Sequence, residues 1–127
     1  MSVIVDKIIQ QSRDLTTKEK IQIKNGSGII KLDAQFKAGE EFVITGPVDF
    51  LVKHIEIEDE NGDKREFDLF IIIDGEWMYS TSSSNVLRTL ADDLTDLNAD
   101  GESYSIKFEK KPSKRFSGST YISYTIL

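Results

Sequence analysis

Residues 54–75 read HIEIEDENGDKREFDLFIIIDG, and this stretch decides the fold class. Ile55 and Ile57 alternate with His54, Glu56 and Glu58, the period-2 pattern of a strand with one face toward a core. Glu60-Asn61-Gly62-Asp63 follows as a tight hairpin turn, in which Asn-Gly supplies the positive φ angles such turns need. The return strand spans about residues 65–73, with Phe67, Leu69, Ile71 and Ile73 on one face. Phe70 and Ile72 make its second face apolar too, so another layer is expected to cover it. Asp74-Gly75 then turns the chain into Trp77-Met78-Tyr79.

The same alternation extends upstream. Ile21 and Ile23 alternate with Lys20, Gln22 and Lys24 and predict a strand, ended by the turn signal Asn25-Gly26-Ser27-Gly28. Ile30, Leu32, Ala34 and Phe36 share one face of the next strand, and Phe42-Val43-Ile44 opens another that Gly46-Pro47 ends. The first dozen residues fit either a short helix, from the spacing of Ile4, Ile8 and Ile9, or a strand through Val3-Ile4-Val5.

Downstream, one helix is predicted over residues 85–97. Ser82-Ser83-Ser84-Asn85 offers N-caps, and Val86, Leu87, Leu90, Ala91, Leu94 and Leu97 form its apolar stripe. Asn98 and Gly101 supply the stop. From Tyr104 to Tyr124 the chain reads YSIKFEKKPSKRFSGSTYISY, two alternating strands joined by a basic, Gly-containing loop. Three strands, a helix and two more strands is the order of an OB-fold. The expectation is therefore a mainly β chain forming a single domain over residues 1–127. It is a small OB-fold-like barrel with one helix between its third and fourth strands, plugging the bottom, and an N-terminal extension. A different small barrel or an α+β sheet is the alternative.

Composition fits one globular domain: 127 residues, 39% apolar and 30% charged, with two prolines. The absence of cysteine excludes a disulfide framework and thiol chemistry. The N-terminal residues MSVIVDKIIQQSRD lack the basic and long apolar regions of a signal peptide, and the apolar run Leu69–Ile73 is too short for a bilayer. A soluble, cytoplasmic protein without membrane or small-molecule partners is expected.

Charge is distributed unevenly. The chain carries −6 overall, yet residues 107–127 hold five Lys/Arg against one Glu, leaving −10 on residues 1–106. A basic hairpin on an acidic body points to an anionic partner. Lys107, Lys110, Lys111, Lys114 and Arg115 are the candidate phosphate contacts, and five such contacts imply an affinity slope of about −3.5 against log salt for single strands. Phe116, in the loop, and Tyr121, on the polar face of the last strand, are the candidate stacking residues. Trp77 and Tyr79 share a face and could extend a stacking platform. Lys64 and Arg65 could continue a basic track, although cross-strand pairing with neighbouring acids explains them as well. The plainer account of the hairpin is a solvated one, its lysines guarding an edge strand.

Catalysis is not expected. His54 is the only histidine, it lies on a polar strand face, and no nucleophile elbow or phosphate loop occurs. The Thr81–Ser84 run has no spaced general base and reads as a helix cap. Asp96-Leu97-Asn98-Ala99-Asp100-Gly101 matches the start of an EF-hand loop, but the twelfth position is Lys107 where a bidentate Glu is needed. A helix stop explains it better, and a solvated acidic face explains Asp92, Asp93 and Asp96 better than a metal. No metal and no cofactor is expected.

From Glu40 to Leu127 the segments FVITG, HIEIEDENGDKREFDLFIIIDG, WMYSTSSSNVLRTLADDL and YSIKFEKKPSKRFSGSTYISYTI follow in an order that resembles phage-encoded single-stranded DNA-binding proteins of the OB-fold type. The resemblance implies sequence-independent binding of single-stranded DNA in phage-type replication or recombination, as a homodimer or higher homo-oligomer. By that analogy binding falls on Lys107, Lys110, Lys111, Lys114, Arg115, Phe116, Tyr121, Trp77 and Tyr79. Cellular bacterial members end in an acidic tail that recruits partners; residues 121–127 read instead as a strand. The competing expectation is a non-catalytic protein-interaction or structural accessory module of a phage or mobile element.

Overall fold

The long hairpin of residues 49–74 carries apolar side chains on both faces, and the computed structural model, which describes residues 2–26, 28–113 and 118–127, covers both. Its strands are β4 (Asp49–Glu58) and β5 (Lys64–Asp74). Around them run β1 (Ser2–Gln11), α1 (Thr17–Asn25), β2 (Ile29–Lys31), a 3₁₀ turn (Leu32–Ala34) and β3 (Glu41–Thr45). After them come β6 (Trp77–Thr81), α2 (Ser84–Asp100), β7 (Ser105–Pro112) and β8 (Thr120–Ile126). The chain is mainly β.

The strands form two sheets, one five-stranded in the order β1-β4-β5-β6-β2 and one three-stranded in the order β3-β7-β8. On one face of the larger sheet, Phe50, Val52, Phe70 and Ile72 pack against Val86, Leu90, Ala91 and Leu94 of α2 and against Ile44, Ile106, Phe108 and Ile122 of the smaller sheet. The Phe50 and Phe70 rings stack at 5.6 Å in the centre. On the other face Leu51, Ile71, Ile73 and Met78 gather Leu15, Ile23 and Ile29. The second covering layer required by Phe70 and Ile72 is thus present.

The expected barrel is corrected: among the described residues no barrel closes. β3 pairs with β7 and not with β4, because Gly46-Pro47-Val48 carries the chain from one sheet to the other. β1 and β2 pair with β4 and β6 and become the two open edges of the larger sheet, so the N-terminal segment is part of the core sheet. α2 lies against both sheets.

Residues 17–25 form a helix where alternation suggested a strand. The local reason is a capping box: the Glu19 N–H donates to Thr16 Oγ1, and the Thr16 N–H donates to the Glu19 carboxylate at 2.9 Å. Arg13 then grips Glu19 through two nitrogens at 2.7 Å and Asp49 at 2.6 Å, tying the helix start to β4. This holds the Glu19 carboxyl down at about 2. In the β4–β5 turn only Gly62 has positive φ; Asp59 Oδ1 closes the turn by accepting from the N–H groups of Asn61 and Asp63. α2 begins where the serines predicted and runs to Asp100, with Gly101 as its left-handed cap. Asp96–Asp100 therefore belong to a helix end. Among the described residues no helix is long and apolar enough to cross a membrane.

Candidate nucleic-acid interface

Alternation along β7 separates its lysines. Ile106 and Phe108 point into the core, and Lys110 follows them on that side. Lys107, Glu109 and Lys111 point to the outer face of the three-stranded sheet, which no other element covers among the described residues. There the register sets Val43 beside Lys107 and Thr125, Glu41 beside Glu109 and Ser123, and Lys111 opposite Tyr121.

The hairpin cations divide into three groups. Lys107 lies 3.4 Å from Glu109 and 3.7 Å from Glu41, so its charge is largely met within the sheet. Lys110 donates to the carbonyls of Asp33 and Phe36 at 2.5 and 2.8 Å, and its ammonium lies 5.1 Å from the centre of the Phe36 ring. It fastens β7 to the turn after β2. Lys111 is exposed and, among the described residues, the hairpin cation without a protein partner. Lys114, Arg115 and Phe116 lie outside the described residues.

The aromatic candidates also part company. Tyr121 is 40% exposed on the outer face. Tyr79 is half-buried, its ring edge-on to Phe42 at 5.4 Å, and Phe42 stacks on Phe36 at 6.2 Å. Burial and the neighbouring Asp74 raise the Tyr79 hydroxyl above its usual pKa. Trp77 is 58% exposed at the β5–β6 turn, opposite Asp74, and belongs to the larger sheet. Trp77 and Tyr79 therefore do not form a joint platform with Tyr121. Lys64 and Arg65 sit opposite Glu58 and Ile57 at the far tip of the β4–β5 hairpin, likewise on the larger sheet.

Two features of the site were not read from sequence. A shallow groove joins Tyr121 and Thr120 to Ser82, Ser83 and Ser84 at the N-terminus of α2. Ser83 precedes the helix without a side-chain cap bond, and Asp33 and Lys110 also line the groove beside this helix end. The serine run was visible in the sequence, but its place beside Tyr121 follows only from β8 packing against α2. That packing includes Tyr124, whose hydroxyl contacts Asp93 at 2.7 Å and also Thr89. Burial, then the Asp93 carboxylate, pushes this phenol up to about 12. Comparison with known proteins found no match to a protein-family model, to a curated protein or to a solved structure.

Proposed function

We propose that this chain binds single-stranded DNA without reading its sequence, through the loop end of the β7–β8 hairpin. The observation that carries the reading is the cross-strand pair Lys111–Tyr121: among the described residues, a cation without a protein partner directly opposite an exposed ring, on a sheet face that no other element covers. A base stacks on Tyr121 while Lys111 meets the adjoining phosphate. Lys114, Arg115 and Phe116 follow Lys111 within the same connection and extend the contact. Lys107 and Lys110 support the hairpin in this scheme, and Tyr79 supports the core beneath it. Trp77, Lys64 and Arg65 lie off this surface. A role in phage-type replication or recombination, and self-association, rest on the family resemblance.

Anisotropy of a labelled, unstructured oligonucleotide tests the reading at low and moderate salt. With Lys111, Lys114 and Arg115 on phosphates, log affinity should fall with log salt at a slope of about −2. No binding at low salt sinks the proposal. It would favour the second reading, a protein-interaction module, which one observation supports. Val3, Ile8 and Phe67 are exposed on one face of β1-β4-β5 with half-buried Ile55 and Ile57, apolar positions interrupted by the Lys53–Asp6 ion pair and Arg65, a mixed surface suited to a protein partner.

A further inference from the structure

The β4–β5 register places two successive pairs, His54 opposite Asp68 and Glu56 opposite Glu66, on one face of the hairpin. Two carboxylates directly opposite each other repel. The sequence alone shows His54 near Glu56; it does not show that Glu66 and Asp68 come to the same place from the other strand.

The side chains converge around the imidazole. His54 Nδ1 lies 2.7 Å from Asp68 Oδ1, which fixes the ring and turns Nε2 toward the two glutamates, with Glu56 within hydrogen-bond distance. Nε2 faces Glu56 Oε1 at 3.4 Å and Glu66 Oε2 at 3.7 Å, and the three ligand atoms all lie within 4.8 Å of one another. With metal–ligand bonds of about 2.1 Å, tetrahedral ligands stand about 3.4 Å apart. The two histidine–carboxylate separations are already near that length. The third closes by rotation of Glu66, whose side chain is 72% exposed. An imidazole oriented by a carboxylate on its other nitrogen is the usual support of a metal-bound histidine. Beside the cluster an open cleft, bordered by Ser84 and Leu87, leaves room for a fourth ligand such as water.

We propose that His54, Glu56 and Glu66 form a binding site for a divalent transition metal of the zinc class, with Asp68 as a positioning residue. One nitrogen and two carboxylate oxygens, with no thiolate, suit zinc or its first-row neighbours. The inference stands apart from nucleic-acid binding, since the site is on the other sheet.

The test is calorimetric titration of the full chain, first stripped with chelator, with zinc chloride at about pH 8, where protons compete least for the imidazole. One zinc per chain with micromolar affinity is expected. The single histidine allows a second readout, a shift of its ring proton resonances on adding one equivalent of zinc. Glu66→Gln, at an exposed position, should abolish micromolar binding without unfolding the protein, and Asp68→Asn should weaken it about 10- to 100-fold. Absence of saturable binding below millimolar zinc overturns the proposal and leaves a proton as the cation among these carboxylates. Unchanged affinity in both Glu66→Gln and His54→Ala overturns it equally.

Discussion

Lys110 and Lys111 are neighbours in sequence and opposites in structure, and substituting each by alanine separates the two roles. The Lys110 ammonium holds two main-chain carbonyls at 2.5 and 2.8 Å and lies 5.1 Å from the Phe36 ring centre. Hydrogen bonds to a charged group contribute about 1.5–3 kcal/mol each, and a partly solvated cation over the buried Phe36 ring about 0.5–1 kcal/mol. The Asp33 bond is exposed and the Phe36 bond only part-buried, so water recovers much of the loss. Lys110→Ala should therefore destabilise the fold by about 2 kcal/mol, the part-buried hydrogen bond and the ring contact at their lower limits with the exposed bond recovered by water. Lys111 is exposed without a partner among the described residues, and Lys111→Ala should change stability by less than about 0.5 kcal/mol. Oligonucleotide binding should show the reverse. Lys111→Ala should flatten the salt slope by about 0.7, one phosphate contact, while Lys110→Ala leaves it unaltered. Urea unfolding followed by circular dichroism, with anisotropy titrations at several salt concentrations, measures both. If Lys110→Ala unfolds at the wild-type urea midpoint yet flattens the salt slope, the division of roles is wrong.

Tyr121→Ala should weaken oligonucleotide binding by about 1–3 kcal/mol, one stacked base, with little effect on the urea midpoint; wild-type affinity in this variant removes the stacking assignment. Tyr104 is buried, its hydroxyl donating to Asn98 Oδ1 at 2.9 Å and accepting from the Val48 N–H at 3.1 Å. Tyr104→Phe orphans that N–H and should cost about 1–3 kcal/mol in urea unfolding. The Glu19 carboxyl is lowered from 4.5 to about 2 by Arg13, so its contribution is present above pH 4.5 and lost as pH falls through about 2. Glu19→Gln should be less stable than wild type at neutral pH, and the gap should narrow in that acid window when unfolding is followed by circular dichroism.

What the sequence determined by itself lies within reach of a few residues. The alternation of residues 54–73, the Asn61-Gly62 turn and the stripe of Val86, Leu90, Ala91 and Leu94 depend only on local geometry, and all appear where the pattern puts them. The apolar character of both faces of β5 also announced a second covering layer. The Thr16–Glu19 capping box has the spacing of a helix start, but the strand reading rests on the alternation of Ile21 and Ile23 alone. In the helix only Ile23 reaches the sheet, while Ile21 stays exposed.

Tertiary structure alone decided the rest, because strand partners are chosen by long-range packing and not by local pattern. That β3 seeks β7 across some sixty residues opened the expected barrel into two sheets. A run of basic residues looks uniform along the chain. In a strand, however, neighbours face opposite sides, so Lys110 was drawn inward to carbonyls while Lys111 was left beside Tyr121. The same cross-strand register carried Glu66 and Asp68 to His54. Which charges are free and which side chains converge is settled only when the strands pair.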